Sequence, residues 1–260
     1  MSGLNLIQEY SSDSDDNDET EYKNNQNPCV KSEEKINKLP LPESISSWKG
    51  AAVHHEEVID NPLEHDGRSR SFKHERGNWA TLVYIDYIPT AEMIKWMKST
   101  LNQSFKTGNL FQEFHVSLTR TLILKFHWID SFVEAVKSIV DSQKTFFMEL
   151  SSIEIYSNEE KTRTFMGIAV QSEDDNLLKL TQSLDKVADE YQLPLFYENP
   201  SYHISFAWGL GDQRNVLEAQ KSFLTTKLYD FFQEHPEERY LEIDCIKCKV
   251  GNKLFKFKLQ

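Results

Sequence analysis

Two short stretches of the chain carry the same chemistry-bearing pattern. One reads Phe114-His115-Val116-Ser117-Leu118-Thr119, the other Tyr202-His203-Ile204-Ser205-Phe206-Ala207. Each offers an aromatic residue, a histidine, a β-branched residue, a serine and a further apolar residue in that order. An imidazole titrates near neutrality, so it can carry or accept a proton at working pH. Transesterification at phosphorus needs two proton transfers, one from the attacking hydroxyl and one to the leaving oxygen. Two imidazoles across a cleft could perform both. Two serine hydroxyls beside them could donate hydrogen bonds to phosphate oxygens as charge develops.

Both stretches are rich in strand-forming residues. Side chains alternate between the faces of a strand. His115 and Ser117 therefore share one face, and Phe114, Val116 and Leu118 the other. His203 and Ser205 likewise share a face opposite Tyr202, Ile204 and Phe206. Each strand has an apolar back for a core and a front with one imidazole and one hydroxyl.

The flanking elements repeat as well. The run Ala80-Thr81-Leu82-Val83-Tyr84-Ile85 lies in a strand from Trp79 to Ile88. Thr90 is placed to cap a helix with Met93, Ile94, Trp96 and Met97, reaching about Phe105. After the first His-x-Ser strand, Phe132, Val133, Val136, Ile139 and Val140 have helical spacing from about Asp130. A strand from Phe146 continues through Ile153 and Ile155 after a bend at Ser151-Ser152. Another strand runs from Thr164 to Val170. Leu177, Leu180, Leu184, Val187 and Tyr191 step by three and four, the mark of a helix with one buried face, which Pro194 stops. After the second His-x-Ser strand, a helix from about Gln213 to Phe232 should turn Val216, Phe223 and Leu224 inward. Two C-terminal strands meet at Gly251-Asn252, a two-residue hairpin turn. Strand, helix, His-x-Ser strand and helix thus occur twice, with the histidines 88 residues apart. Two like halves sharing a cleft would bring one histidine from each half together.

The chain of 260 residues carries 41 acidic and 29 basic side chains. Residues 1–47 hold 10 of the acidic and 4 of the basic residues. The remainder is only mildly acidic, so the sequence does not suggest the basic surface of a protein that grips duplex nucleic acid, and any RNA contact should be local, at a strand end. Ser11, Ser12, Asp13, Ser14, Asp15 and Asp16 open an acidic, Asn-rich tract with too little apolar surface to fold. Pro40 and Pro42 follow in a stiff linker. Residues 1–70 are expected to be a disordered tail and linker, and residues 71–260 the folded domain. His54-His55-Glu56-Glu57 falls in the linker and reads as solvated. Three cysteines fit a reducing compartment. Cys245 and Cys248, at an odd offset on a strand, would face opposite ways. No metal site and no cofactor is expected. No apolar run has the length of a membrane span, and no signal sequence is expected at the N-terminus.

These segments resemble the 2H phosphoesterase superfamily, and within it the U6 snRNA phosphodiesterase family. The resemblance rests on the two His-x-Ser motifs, on His74 through Thr81, on Asn158 through Phe165, on Tyr197 through Trp208 and on Gly251-Asn252-Lys253. It implies an α/β (α+β) fold of two pseudo-two-fold-related lobes, each with antiparallel strands and helices, around a central cleft. It also implies a metal-independent 3′-to-5′ exoribonuclease that trims the oligouridine tail of U6 snRNA in the nucleus, leaving a 2′,3′-cyclic or terminal phosphate. The partner would be a single-stranded RNA 3′ end, with neither DNA nor membrane involved, and the protein would act as a monomer. His115 and His203 would be catalytic, their near-symmetry leaving base and acid unassigned. Val116, Ser117, Ser201, Tyr202, Ile204 and Ser205 would contact the nucleotide. The ring of Tyr197 would stack on the terminal base, or else be a core tyrosine beside Phe196. Glu159 would accept the uracil N3–H, or else be a solvated loop acid. Arg163 would pair with phosphate, with Glu159 or with Glu160. The rival readings are a 2′,3′-cyclic phosphodiesterase or RNA-end ligase of the superfamily, and an RNA-end-binding protein that kept the fold.

Overall fold

The computed structural model describes residues 75–260. The acidic tract, the proline linker, Cys29, His54–Glu57 and His74 lie outside them. The strands are β1 (Asn78–Tyr87), β2 (Asn109–Leu110), β3 (Phe114–Ser117), β4 (Leu122–Lys125), β5 (Phe146–Ser157), β6 (Arg163–Ser172), β7 (His203–Leu210), β8 (Tyr240–Ile243), β9 (Cys245–Val250) and β10 (Lys253–Lys258). The helices are α1 (Ala91–Ser104), α2 (Ile129–Asp141), α3 (Asn176–Glu190), α4 (Arg214–Glu218) and α5 (Lys221–Glu234).

The strands form one sheet in the order β10-β9-β1-β3-β7-β6-β5-β8, with β2 pairing with β7 and β4 with β1. Neighbours are antiparallel throughout. The sheet reads as two halves joined at β3 and β7. In the first, β1–α1–β3 brings a His-x-Ser strand beside β1; in the second, β6–α3–β7 brings the other beside β6. Both His-x-Ser strands are therefore central, and the duplicated pattern of the sequence appears as a duplicated topology.

Alternation decides which residues reach the open face. On β1, Thr81, Val83, Ile85 and Tyr87 are buried, whereas Leu82, Tyr84 and Asp86 are only partly so. Val116, Ile204, Phe206, Met166, Ile168, Met148 and Leu150 continue the buried layer, and the helices add Met93 and Met97, Phe132 and Val136, Leu180 and Leu184, and Leu224 and Leu228. Each such side chain contributes about 1.5–3 kcal/mol by leaving water. Thr90 caps α1, its side chain accepting from the Met93 N–H at 3.2 Å. The strand through Ser151-Ser152 continues as one element, with a register irregularity between Leu150 and Ile153.

The helix expected from Gln213 to Phe232 is two. Ala219 and Gln220 interrupt it, the Gln220 N–H reaching the Leu217 carbonyl in a tight turn. Val216 and Phe223 are exposed, not inward, while Leu224 is buried as expected, together with Leu217, Leu228 and Phe232. The inward stripe runs one residue later than Val216 and Phe223 suggest. Strands β2, β4 and β8 were not expected. The hairpin turns at Gly251, which has φ +57°, a backbone state that glycine adopts without steric cost. Cys248 is buried, which pushes its thiol up to about 12, while Cys245 is only partly covered.

Candidate active site

The junction of the halves is a short ladder in which Val116 pairs with Ile204. One step to either side, antiparallel register sets His115 against Ser205 and Ser117 against His203. All four side chains point away from the core, because Val116 and Ile204 are fully buried beneath them. Val116 and Ile204 could therefore meet a ligand only through their backbone.

The imidazoles have different surroundings. The His203 Nδ1–H donates to the Ser201 carbonyl at 2.7 Å. A carbonyl only accepts, so the neutral ring leaves Nε2 with a free lone pair. Tyr156 stacks on the ring with centroids 3.8 Å apart and planes 19° from parallel. The Tyr156 hydroxyl shares a 2.8 Å hydrogen bond with the Ser201 hydroxyl. Gly167 makes room for this packing: a Cβ there would lie 3.2 Å from His203 Cδ2 and 3.1 Å from the Ile204 carbonyl oxygen. His115 instead meets the ring of Tyr84 edge-on at 5.3 Å. Asp86 is its cross-strand neighbour, and Lys247 pairs with Asp86.

Burial lowers both histidines from their ordinary range. At His115 a charge on His203 pushes the same way, while Asp86 and Glu113 oppose it. At His203 the Ser201 carbonyl and Glu154 oppose burial. Two interacting imidazoles lose their protons as a coupled pair.

A second cluster bridges the halves at the Ser117–His203 end. Arg120, just beyond β3, pairs with Glu159 of the β5–β6 loop. The Arg120 guanidinium also lies over the Tyr197 ring, 4.9 Å from its centroid. Tyr197 is 55% exposed, so it is not a core tyrosine; its ring meets that of Phe196 at 66°, with centroids 5.2 Å apart. Arg163 lies over Phe165 instead of pairing with Glu159 or Glu160 among the described residues. The Tyr202 ring stacks on Phe196 and its hydroxyl bonds to the Thr181 hydroxyl at 2.7 Å, which ties it to α3 and away from the cleft. Ser201 is placed to orient His203 and Tyr156. His127 and His235 pack on Trp128 and Phe231, outside the site. Among the described residues no group of three or more His, Cys, Asp or Glu could hold a metal ion.

Sequence reasoning missed Tyr84, Asp86, Arg120, Tyr156, Gly167 and Lys247. Tyr84 and Asp86 were within reach, since the alternation that turns Val83 and Ile85 inward turns both outward. Arg120, Tyr156 and Gly167 arrive through loop and ladder geometry that carries no local signal.

The family profile HVSL, described as an uncharacterised conserved protein, matches residues 39–258. Its letters spell His115-Val116-Ser117-Leu118. The zebrafish protein named U6 snRNA phosphodiesterase 1 is 37% identical over 239 residues, covering 90% of this chain and 86% of that protein. The human protein of the same name is 35% identical over 226 residues, covering 86% and 84%. The chain belongs to the U6 snRNA phosphodiesterase family. Among solved structures, Kluyveromyces marxianus Usb1 matches with a TM-score of 0.53 at 15% identity, covering 69% of this chain and 97% of that one. The same protein with uridine monophosphate matches with a TM-score of 0.51 at 16% identity. At such identity the likeness speaks for the fold, and it is the fold that the U6 snRNA phosphodiesterase family resemblance implies.

Proposed function

We propose that this chain is a 3′-to-5′ exoribonuclease that shortens the oligouridine end of U6 snRNA by internal attack of a ribose hydroxyl. The observation that carries the reading is the junction itself: two imidazoles and two hydroxyls on one face, each imidazole opposite a hydroxyl of the other half. The names of the relatives supply the substrate, and the uridine monophosphate held by the yeast neighbour is consistent with it.

In this mechanism the 2′-oxygen of the penultimate nucleotide attacks the adjacent phosphorus and the bond from phosphorus to the 5′-oxygen of the last nucleotide breaks. The His203 Nε2 takes the 2′-OH proton, since its Nδ1–H is committed to the Ser201 carbonyl. Protonated His115 gives its proton to the departing 5′-oxygen; Asp86 and Glu113 favour its charged form. Ser117 and Ser205 donate to the non-bridging oxygens as charge builds. The products are a released nucleoside and an RNA one residue shorter that ends in a 2′,3′-cyclic phosphate. Tyr197 stacks on the terminal base and Glu159 reads its edge, while Ser201, Tyr202, Val116 and Ile204 contribute through the backbone. Residues 71–260 form the catalytic domain, working as a monomer in the nucleus, and residues 1–70 are an appendage that the chemistry does not need.

The test is release of nucleosides from oligouridine in the presence of a chelator, with a matched RNA carrying 2′-deoxy at the penultimate position. Chelator-resistant cleavage of the first and none of the second is expected. Cleavage of the 2′-deoxy RNA would mean that water attacks directly and would overturn the mechanism. A protein that only binds RNA ends gives no product, and one that only opens cyclic phosphates leaves linear RNA uncut.

A further inference from the structure

The open face of the first half continues outward from the catalytic pairs as a field of lysines. Cross-strand partners share a face, and the registers run Ser117–Tyr84–Lys247–Lys256 in one line across β3, β1, β9 and β10. Lys249 sits on the next line, between Leu82 and Leu254, and Lys258 on the line of Cys245. Lys247 is held by Asp86. Among the described residues Lys249, Lys256 and Lys258 are exposed and enter no ion pair. With strands about 4.8 Å apart, Lys256 lies three strands, or about 14 Å, from Ser117. The second half is different. Its strand β5 turns Glu149 and Glu154 to the same face, and these are already paired with Arg239 and Lys221.

We propose that Lys249, Lys256 and Lys258 form a track for the RNA backbone upstream of the cleaved bond. The occupant is single-stranded RNA, because the charge is complementary to phosphate and the track is continuous with the catalytic face. Tyr197 and Glu159 hold the terminal nucleotide on the second half, so the remaining RNA leaves across the first. The proposal rests on the exonuclease reading above and adds the path of the uncut strand. The mean charge of the folded region concealed it: Lys247, Lys249, Lys256 and Lys258 gather on one face of β9 and β10, with Asp86 paired to Lys247 among them.

The experiment compares the full-length wild type with Lys256→Gln/Lys258→Gln, on the dinucleotide UpU and on a long oligouridine, over a range of salt. These two positions are remote from the histidines, whereas Lys249 acts on His115 electrostatically and is left intact. UpU turnover should be unchanged, and binding of the long RNA should weaken. The slope of log affinity against log salt should fall by about 1.4, at about 0.7 for each phosphate contact on a single strand. An unchanged slope for the long RNA, or an equal loss on UpU, overturns the track. If the wild type cuts neither substrate, the exonuclease reading fails instead, and with it the premise. The competing occupant is the chain's own acidic segment. If the effect of the lysine changes vanishes when Asp13, Asp15, Asp16 and Asp18 are changed to Asn in the full chain, the lysines serve that segment and the proposal is overturned.

Discussion

Val116 pairs with Ile204 where the two halves of the sheet meet, and both side chains are sealed in the core. This one pairing fixes the positions of four others. A slip of one residue would turn His115 and Ser117, or His203 and Ser205, into the apolar layer. Register is therefore protected by the hydrophobic cost of exposing Val116 and Ile204, and the polar face is placed without having to stabilise itself.

The unequal surroundings of the histidines make the roles proposed for them separable by experiment. His115→Ala and His203→Ala should each cost on the order of 10²–10⁴ in rate while leaving the fold intact by circular dichroism. Placing sulfur at the leaving 5′ position makes a leaving group that needs no protonation, since a thiol ionises near pH 8.5. That substrate should restore His115→Ala and not His203→Ala. Rescue of His203→Ala alone would reverse the assignment, and near-normal activity of both variants on the ordinary substrate would remove the mechanism.

Both imidazoles are held below the ordinary histidine range, mainly by burial. The bell of kcat/KM against pH should therefore be centred on the acid side of about 6.5. The sign for stability follows from the same shifts. The unfolded chain takes up these protons first, so stability is at its full value above about pH 6.5 and falls as the pH drops towards the folded values. Chemical denaturation from pH 7 to 5 should show the decline, and His115→Gln/His203→Gln should flatten it. A double variant with an undiminished slope would mean that other groups govern acid sensitivity.

Tyr156 and Gly167 pack on His203, and in the proposed mechanism they position it without meeting the phosphate. Gly167→Ala would press a methyl group on the imidazole and on the Ile204 carbonyl. It should lower kcat by about 10- to 100-fold with little change in KM, the expected cost of a small misplacement of a reacting group. Tyr156→Phe keeps the stack and should be mild, whereas Tyr156→Leu should approach Gly167→Ala. Equal loss in the Phe and Leu variants would show that the Ser201 hydrogen bond matters more than the stacked ring.

Much of this architecture was legible because alternation and helical spacing are local. Phe114 and Val116 against His115 and Ser117 gave the face of the strand, and Thr90 gave the start of α1. The Gly251 turn gave the final hairpin. The split of the helix after Glu218 was not legible, since Ala219 and Gln220 are good helix formers and tertiary packing of Leu217 and Leu224 decides the break. The Arg120–Glu159 pair joins positions 39 residues apart, and no periodic signal links a strand end to a loop. The lysine track was hidden for a similar reason: Lys249, Lys256 and Lys258 look like ordinary surface residues until register places them on one face with Ser117.

The same long-range geometry shapes the last prediction, on how the terminal nucleotide is held. Tyr197 offers an exposed ring, and Arg120 already lies over it while pairing with Glu159. A guanidinium on one face leaves the other for a base, and one base on an aromatic ring is worth about 1–3 kcal/mol. Tyr197→Ala should weaken processing by about that amount whatever the base. Tyr197→Phe should be nearly silent, since among the described residues the Tyr197 hydroxyl makes no hydrogen bond. Glu159 can select uridine only if its carboxylate is held in place, and Arg120 is the group that holds it. Glu159→Ala and Arg120→Ala should therefore both reduce the preference for uridine over cytidine, and Arg120→Ala should also loosen the Tyr197 platform. Trimming rates on RNAs ending in uridine, adenosine or cytidine, for the wild type and these four variants, check the set. A Phe variant as impaired as the Ala variant would defeat the stacking argument. An unchanged base preference in Glu159→Ala would reduce the Arg120 pair to a clasp between the halves and leave the two histidines untouched.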